Sequence, residues 1–161
     1  MKKNNITFRI ANNNDCEQIK SLVYNVLGEY NLVPEPLGTD SDLNDVEQHY
    51  FKCGGIFEVL IDENDEIYGT VGLFPVDEKT IELRKMYFKK ELRGLGFGKI
   101  TLKRMILSAK SMGYSQIYLE TASVLKEAIG LYEKFGFKPT CEGMHTDRCD
   151  RAYVFDVSTV F

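Results

Sequence analysis

The chain has 161 residues, 43% of them apolar and 27% charged, with a formal net charge of -4. That length supports a core that stands without metals or disulfides, and the mixture excludes a disordered chain, so residues 1–161 read as a single domain. The mild acidity gives no reason to expect nucleic acid or an anionic membrane as partner, and any anion site has to be local.

Ile6 to Ile10 alternates apolar and polar residues, which predicts a first strand with Ile6, Phe8 and Ile10 on one face. Asn12 to Asp15 supplies caps for a helix whose apolar stripe is Ile19, Leu22, Val23, Val26 and Leu27, with Gly28 as the expected stop. Asn31 to Asp42 carries Pro34, Pro36, Gly38 and several acids, and reads as a loop. Asp42 to Phe51 predicts a short second helix with Leu43, Val46 and Tyr50 on one side, ended by Gly54 and Gly55. Ile56 to Ile61 and Ile67 to Phe74 then predict a hairpin around the acidic turn Asp62 to Asp65. Gly69 and Gly72 weaken the second of these strands and signal a bulge or a close neighbour. Thr80 to Phe88 completes a meander.

Leu95 to Met112 is the clearest helix, with Leu95, Leu102, Met105, Ile106, Ala109 and Met112 inward and Gly113 as its stop. Gln116 to Glu120 is the next strand. Val124 to Phe135 is an amphipathic helix through Leu125, Ala128, Leu131, Tyr132 and Phe135, stopped by Gly136. Phe137 to Cys141 and Arg151 to Val157 are the last strands, either side of a polar loop. A meander followed by a strand-helix-strand crossover predicts a mixed sheet covered by helices.

Cys16, Cys53, Cys141 and Cys149 show no CxxC unit, and His49 and His145 complete no ligand set, so no metal is expected. No charged leader precedes an apolar run, and no apolar stretch approaches the roughly 18 residues of a membrane span. The expected setting is cytoplasmic, with free thiols. A Cys141 to Cys149 disulfide stays open.

The chemistry concentrates in Arg93, Gly94, Leu95, Gly96, Phe97, Gly98 and Lys99. Three glycines bare the backbone where a strand turns into a helix, and the first amides of that helix lack internal partners and carry partial positive charge. Arg93 and Lys99 add charge. The spacing is neither the dinucleotide fingerprint nor a P-loop. On the residues alone, an anion site and a plain tight connection both remain open.

This segment resembles the coenzyme A pyrophosphate loop of the GNAT superfamily of N-acetyltransferases: Gln or Arg, two residues, Gly, one residue, then Gly or Ala. Two further blocks match in the same order: Glu82-Leu83-Arg84-Lys85-Met86-Tyr87-Phe88 resembles the family's fourth strand, and Ala128 to Phe137 matches the block expected after the fifth strand. The resemblance implies a GNAT-like α/β fold, with a mixed, mostly antiparallel sheet of about seven strands flanked by about four helices. It implies acetyl-CoA as acyl donor and a small amine or peptide amine as acceptor, the amine attacking the thioester directly in a ternary complex; the protein is expected to be a monomer or homodimer. Backbone groups of Met86, Tyr87 and Phe88 would hold the pantetheine arm, one amide there would polarise the thioester carbonyl, and residues 93–99 would hold the pyrophosphate.

Tyr132, by itself a core tyrosine of an amphipathic helix, stands where the family has a tyrosine that protonates the departing thiolate. Glu82 shares strand parity with Arg84, Met86 and Phe88 and is a candidate base, or half of a cross-strand ion pair; Glu120 is its rival. Leu125 stands where the family often has Asn, so Thr121 or Ser123 is expected to supply that polar contact with coenzyme A. Glu29, Glu35, Asp40, Asp42, Asp45, Glu142, Asp147 and Asp150 favour a cationic acceptor, or form an acidic solvated face. Tyr24, Tyr30 and Tyr50 suit a pocket or the core equally. A non-catalytic acetyl-CoA sensor of the same fold is the alternative.

Overall fold

Where the chain alternates, it forms strands, and where apolar residues recur every three or four positions, it forms helices. The computed structural model describes residues 5–143 and 148–160; His145 and Asp147 lie outside them. The strands are β1 (Thr7–Ile10), β2 (Ile56–Ile61), β3 (Ile67–Pro75), β4 (Thr80–Phe88), β5 (Gln116–Thr121), β6 (Lys138–Thr140) and β7 (Arg151–Asp156). They form one mixed, mostly antiparallel seven-stranded sheet in the order β1-β2-β3-β4-β5-β7-β6. Three α-helices accompany it among the described residues: α1 (Cys16–Glu29), α2 (Phe97–Ser111) and α3 (Lys126–Phe135).

Two compact units share the chain, Met1–Gly72 with Lys85–Leu95, and Leu73–Arg84 with Gly96–Phe161. In the first, α1 buries Ile19, Leu22, Val23, Val26 and Leu27 as its spacing predicts. It is entered through a 3-10 turn at Asn13–Asp15, whose start is a capping box in which Asn12 accepts from the Asn14 amide while Asp15 accepts from the Asn12 amide, both at 2.9 Å. The helix runs through Gly28 to Glu29, and the left-handed residue that turns the chain is Asn31, at φ 58°. Ile10, expected to share a face with Ile6 and Phe8, is 63% exposed at the end of the edge strand β1.

The second helix expected over 42–51 is two turns, a 3-10 turn at Ser41–Asn44 and a π-helical turn at Glu47–Phe51, parted by the extended Asp45. Its apolar face is nonetheless the predicted one, with Leu43, Val46 and Tyr50 fully buried. Gly69 and Gly72 answer to close neighbours. A Cβ at Gly69 would lie 2.9 Å from the Phe88 ring, and one at Gly72 would lie 2.7 Å from the Tyr50 ring and 2.9 Å from Phe57.

In the second unit, α2 buries Leu102, Met105, Ile106 and Ala109. Leu95, predicted inward, precedes the helix and is exposed, because the helix begins only after Gly96. Val124 likewise lies ahead of α3 and is exposed. Gly113 and Gly136 end α2 and α3 at φ 91° and 101°, the left-handed stops their positions suggest. No described helix is long and apolar enough to cross a membrane.

Candidate functional site

The glycine turn is built by conformation before charge. Between β4 and α2 the chain makes a 3-10 turn at Lys90–Leu92, anchored by buried Leu92, then extends at Arg93. Gly94 and Gly96 take φ of 75° and 89°, while Gly98 lies inside the first turn of α2. No heavy atom lies within 4 Å of a Cβ built on Gly94 or Gly96, so bare, exposed backbone faces open space on both. No side chain caps α2, whose first helical bond is Ile100 N to Gly96 O at 3.1 Å. The amides of Phe97, Gly98 and Lys99 therefore sit at an uncapped, positive helix end, with the Lys99 side chain exposed beside them. This arrangement fits a pyrophosphate.

Arg93 is spent differently from Lys99. Its Nε and Nη2 donate to the Phe88 carbonyl at 3.0 and 2.9 Å, and its Nη1 donates to Glu29 at 2.6 Å. The guanidinium thus secures the end of β4 and pins it to the end of α1.

Strand parity does not carry along β4 from Glu82 to Met86 and Phe88. Lys85 has φ 53°, and a left-handed residue in a strand interrupts the alternation of faces. Glu82 is buried and ion-paired at 3.1 Å, but with Arg84 of its own strand rather than across strands. Arg84 also lies 4.1 Å over the Phe74 ring. The parallel β4–β5 register covers Thr80↔Gln116, Ile81↔Ile117 and Glu82↔Tyr118, whereas β5 continues against β7 to Thr121↔Arg151. The parallel pairing thus runs to Glu82↔Tyr118.

At the end of that pairing Glu82 stands opposite Tyr118, and Glu120 follows two residues along β5. Burial pushes the Tyr118 phenol well above its ordinary range, and the charges of Glu120 and Glu82 push the same way. Its hydroxyl donates to the Glu142 carbonyl at 3.2 Å. Tyr132 is the buried residue of α3, with its ring 5.6 Å from that of Phe137 and 6.3 Å from that of Tyr153. Tyr153 in turn donates to Glu133 at 3.1 Å. Thr121 is buried, and the Ser123 amide and hydroxyl both donate to Asp150, at 2.7 and 2.8 Å.

Several of the acids that could favour a cationic acceptor have partners within the chain. Glu29 is held by Arg93, Asp150 by Ser123, and Asp45 by the Asn13 side chain and the Gln48 amide. Asp40 and Asp42 bind Lys85 at 3.1 and 3.4 Å, and Tyr50 donates to Asp42. Tyr50 is thereby a core residue with a polar anchor. The Tyr24 hydroxyl is buried without a hydrogen-bond partner among the described residues, and Tyr30 lies under Arg93 at 5.9 Å. The four cysteines are free thiols. Lys85 and Tyr118 carried no sequence signal, since their partners lie some twenty to forty-six residues away.

A family model described as the acetyltransferase (GNAT) family matches residues 22–137. Human N-acetyltransferase 8B is 35% identical over 106 residues, 62% of this chain and 46% of that protein, so the chain spans about half the length of that relative. The uncharacterized N-acetyltransferase YjgM of Escherichia coli K12 is 34% identical over 129 residues, 77% of each protein. An acetyltransferase of the GNAT family from Staphylococcus aureus Mu50 has the same fold in its crystal structure, with a TM-score of 0.88 at 26% identity, covering 94% of this chain and 99% of that one. The turn and the matched span lead to one conclusion: the chain belongs to the GNAT family of acetyltransferases.

Proposed function

We propose that the protein is an N-acetyltransferase that moves the acetyl group of acetyl-CoA to a primary amine by direct attack in a ternary complex. The observation that carries this is the open, left-handed turn at Gly94 and Gly96 leading into an uncapped α2, inside the span that matches the family. Acetyl-CoA supplies an activated thioester, and the protein supplies position, polarisation and proton transfer.

Gly94 to Lys99 receive the pyrophosphate with backbone amides, and Lys99 adds charge. Thr121 and Ser123 contribute polar contact on the far side. Backbone groups of Met86, Tyr87 and Phe88 hold the pantetheine arm, and the Met86 amide, following the Lys85 kink, polarises the thioester carbonyl. An amide aimed at charge that appears only in the transition state accelerates the step itself. The amine nitrogen bonds to the carbonyl carbon and the carbon–sulfur bond breaks. Glu82 or Glu120, directly or through water, takes the proton from the amine, and Tyr132 gives one to the departing thiolate.

Calorimetric titration with acetyl-CoA, followed by thiol release across a panel of primary amines, tests this. Saturable binding with amine-dependent release is the expected result. Binding without release for any amine would favour an acetyl-CoA sensor, and failure to bind would remove the donor assignment altogether.

A further inference from the structure

Lys85 presents a conflict that its own strand does not explain. Its backbone sits at φ 53°, where glycine or asparagine is favoured, yet the residue is a lysine whose side chain is only 7% exposed. Burying an ammonium is unfavourable unless it is paired, and this one is paired on every side the structure describes. Its Nζ lies 3.1 Å from Asp40, 3.4 Å from Asp42 and 3.0 Å from the Thr39 carbonyl, to which it donates. The far ends of these contacts are themselves fastened. Asp40 accepts from the Glu35 amide at 2.8 Å, Asp42 accepts from Tyr50, and the 35–40 turn closes through Asp40 N to Glu35 O at 3.0 Å. On the backbone side, the Lys85 carbonyl accepts from Thr70 Oγ1 at 2.7 Å.

A kink held only by its backbone would use glycine. A kink held by a side chain needs one long enough to reach a fixed anchor, and a lysine between two carboxylates is such a tether. The geometry points to Lys85 as a positioning residue: through Asp40 and Asp42 its buried ammonium fixes the left-handed kink of β4, and with it the direction of the Met86 amide. This rests on the proposed function, in which that amide faces the thioester carbonyl. Lys85 touches no reacting atom. The connection after α1, which carries Asp40 and Asp42, thereby acts on the donor side as a brace.

The test is spectroscopic. Acetyl-CoA carrying a 13C carbonyl is bound to the wild-type chain, and the shift of its carbonyl stretching band is measured alongside affinity by calorimetry. Two variants follow. Lys85→Met/Asp40→Asn removes the tether while leaving the formal charge of the cluster at the same value, and Lys85→Gly permits the kink without the tether. In each variant that melts cooperatively, acetyl-CoA affinity is expected within about threefold of wild type, because the glycine turn is intact. Most of the carbonyl shift is lost, and kcat with spermine as the amine probe falls by about 10². A folded variant of either kind that keeps the wild-type carbonyl shift and kcat overturns the assignment. A wild-type chain that does not bind acetyl-CoA strikes the proposed function instead, which separates the two failures.

Discussion

Replacing Gly96 and Gly98 separately by alanine should push stability and binding in different directions. Gly96 holds φ 89° with no atom within 4 Å of an added Cβ, so Gly96→Ala meets no clash and the cost is the left-handed backbone alone. For an L residue that is about 1 to 2 kcal/mol, or a fall in Tm of about 2 to 8 °C for a chain of this size. Gly98 lies within α2, where alanine is better than glycine by about 1 kcal/mol, so Gly98→Ala should raise Tm by about 2 to 4 °C. For binding, the new methyl at position 96 occupies the bare face that the pyrophosphate approaches, and acetyl-CoA Kd should rise at least about tenfold, or about 1.4 kcal/mol. At position 98 the amides remain available, and Kd should stay within about threefold of wild type, less than about 0.7 kcal/mol. Thermal melts and calorimetric titrations on the two variants supply all four quantities. If Gly96→Ala loses stability as expected yet binds acetyl-CoA like the wild type, the turn is only a tight connection and the pyrophosphate lies elsewhere.

Tyr132→Phe keeps the ring that packs on Phe137 and Tyr153, so acetyl-CoA Kd should hold while kcat falls by about 10²; an unchanged kcat rejects the acid role. Glu82→Gln and Glu120→Gln, assayed at saturating acetyl-CoA, should differ, and the one whose kcat/KM falls by about 10² carries the base; equal, small losses would assign proton removal to water alone. Burial raises the Asp15 carboxyl, but hydrogen bonds from Arg9 and the Asn12 amide outweigh it and hold it below its ordinary range. Its contribution is therefore complete above the unfolded value near ~3.9 and fades as pH drops through the lower native one. Asp15→Asn should melt below wild type at pH 7, with the gap closing under about pH 4; a gap independent of pH contradicts the ion pair with Arg9 as its source. Gly72→Ala forces a methyl against the Tyr50 and Phe57 rings and should cost about 1 to 3 kcal/mol in denaturant titrations, whereas a neutral result would show that those rings yield freely.

Most of the architecture was legible because it rests on local periodicity. The stripe of α1, the apolar face of residues 43–50, the hairpin around Asp62 and the glycine stops at 113 and 136 each follow from residues within a few positions of one another. Boundaries were less so: α1 passes through Gly28 to be turned by Asn31, and α2 waits for Gly96, because termini depend on backbone torsion more than on composition.

By itself, then, the sequence determined the order of elements and the glycine turn, since glycine alone supplies bare backbone and cheap left-handed torsion. Only the tertiary structure decided what the long charged side chains do. It turned Arg93 back onto the Phe88 carbonyl and Glu29, paired Glu82 with its own strand neighbour Arg84, and buried Lys85 between Asp40 and Asp42. Such partners lie anywhere from two to sixty-four residues apart, and what selects them is desolvation: a charge carried into the interior must end on whichever opposite charge the fold brings within reach.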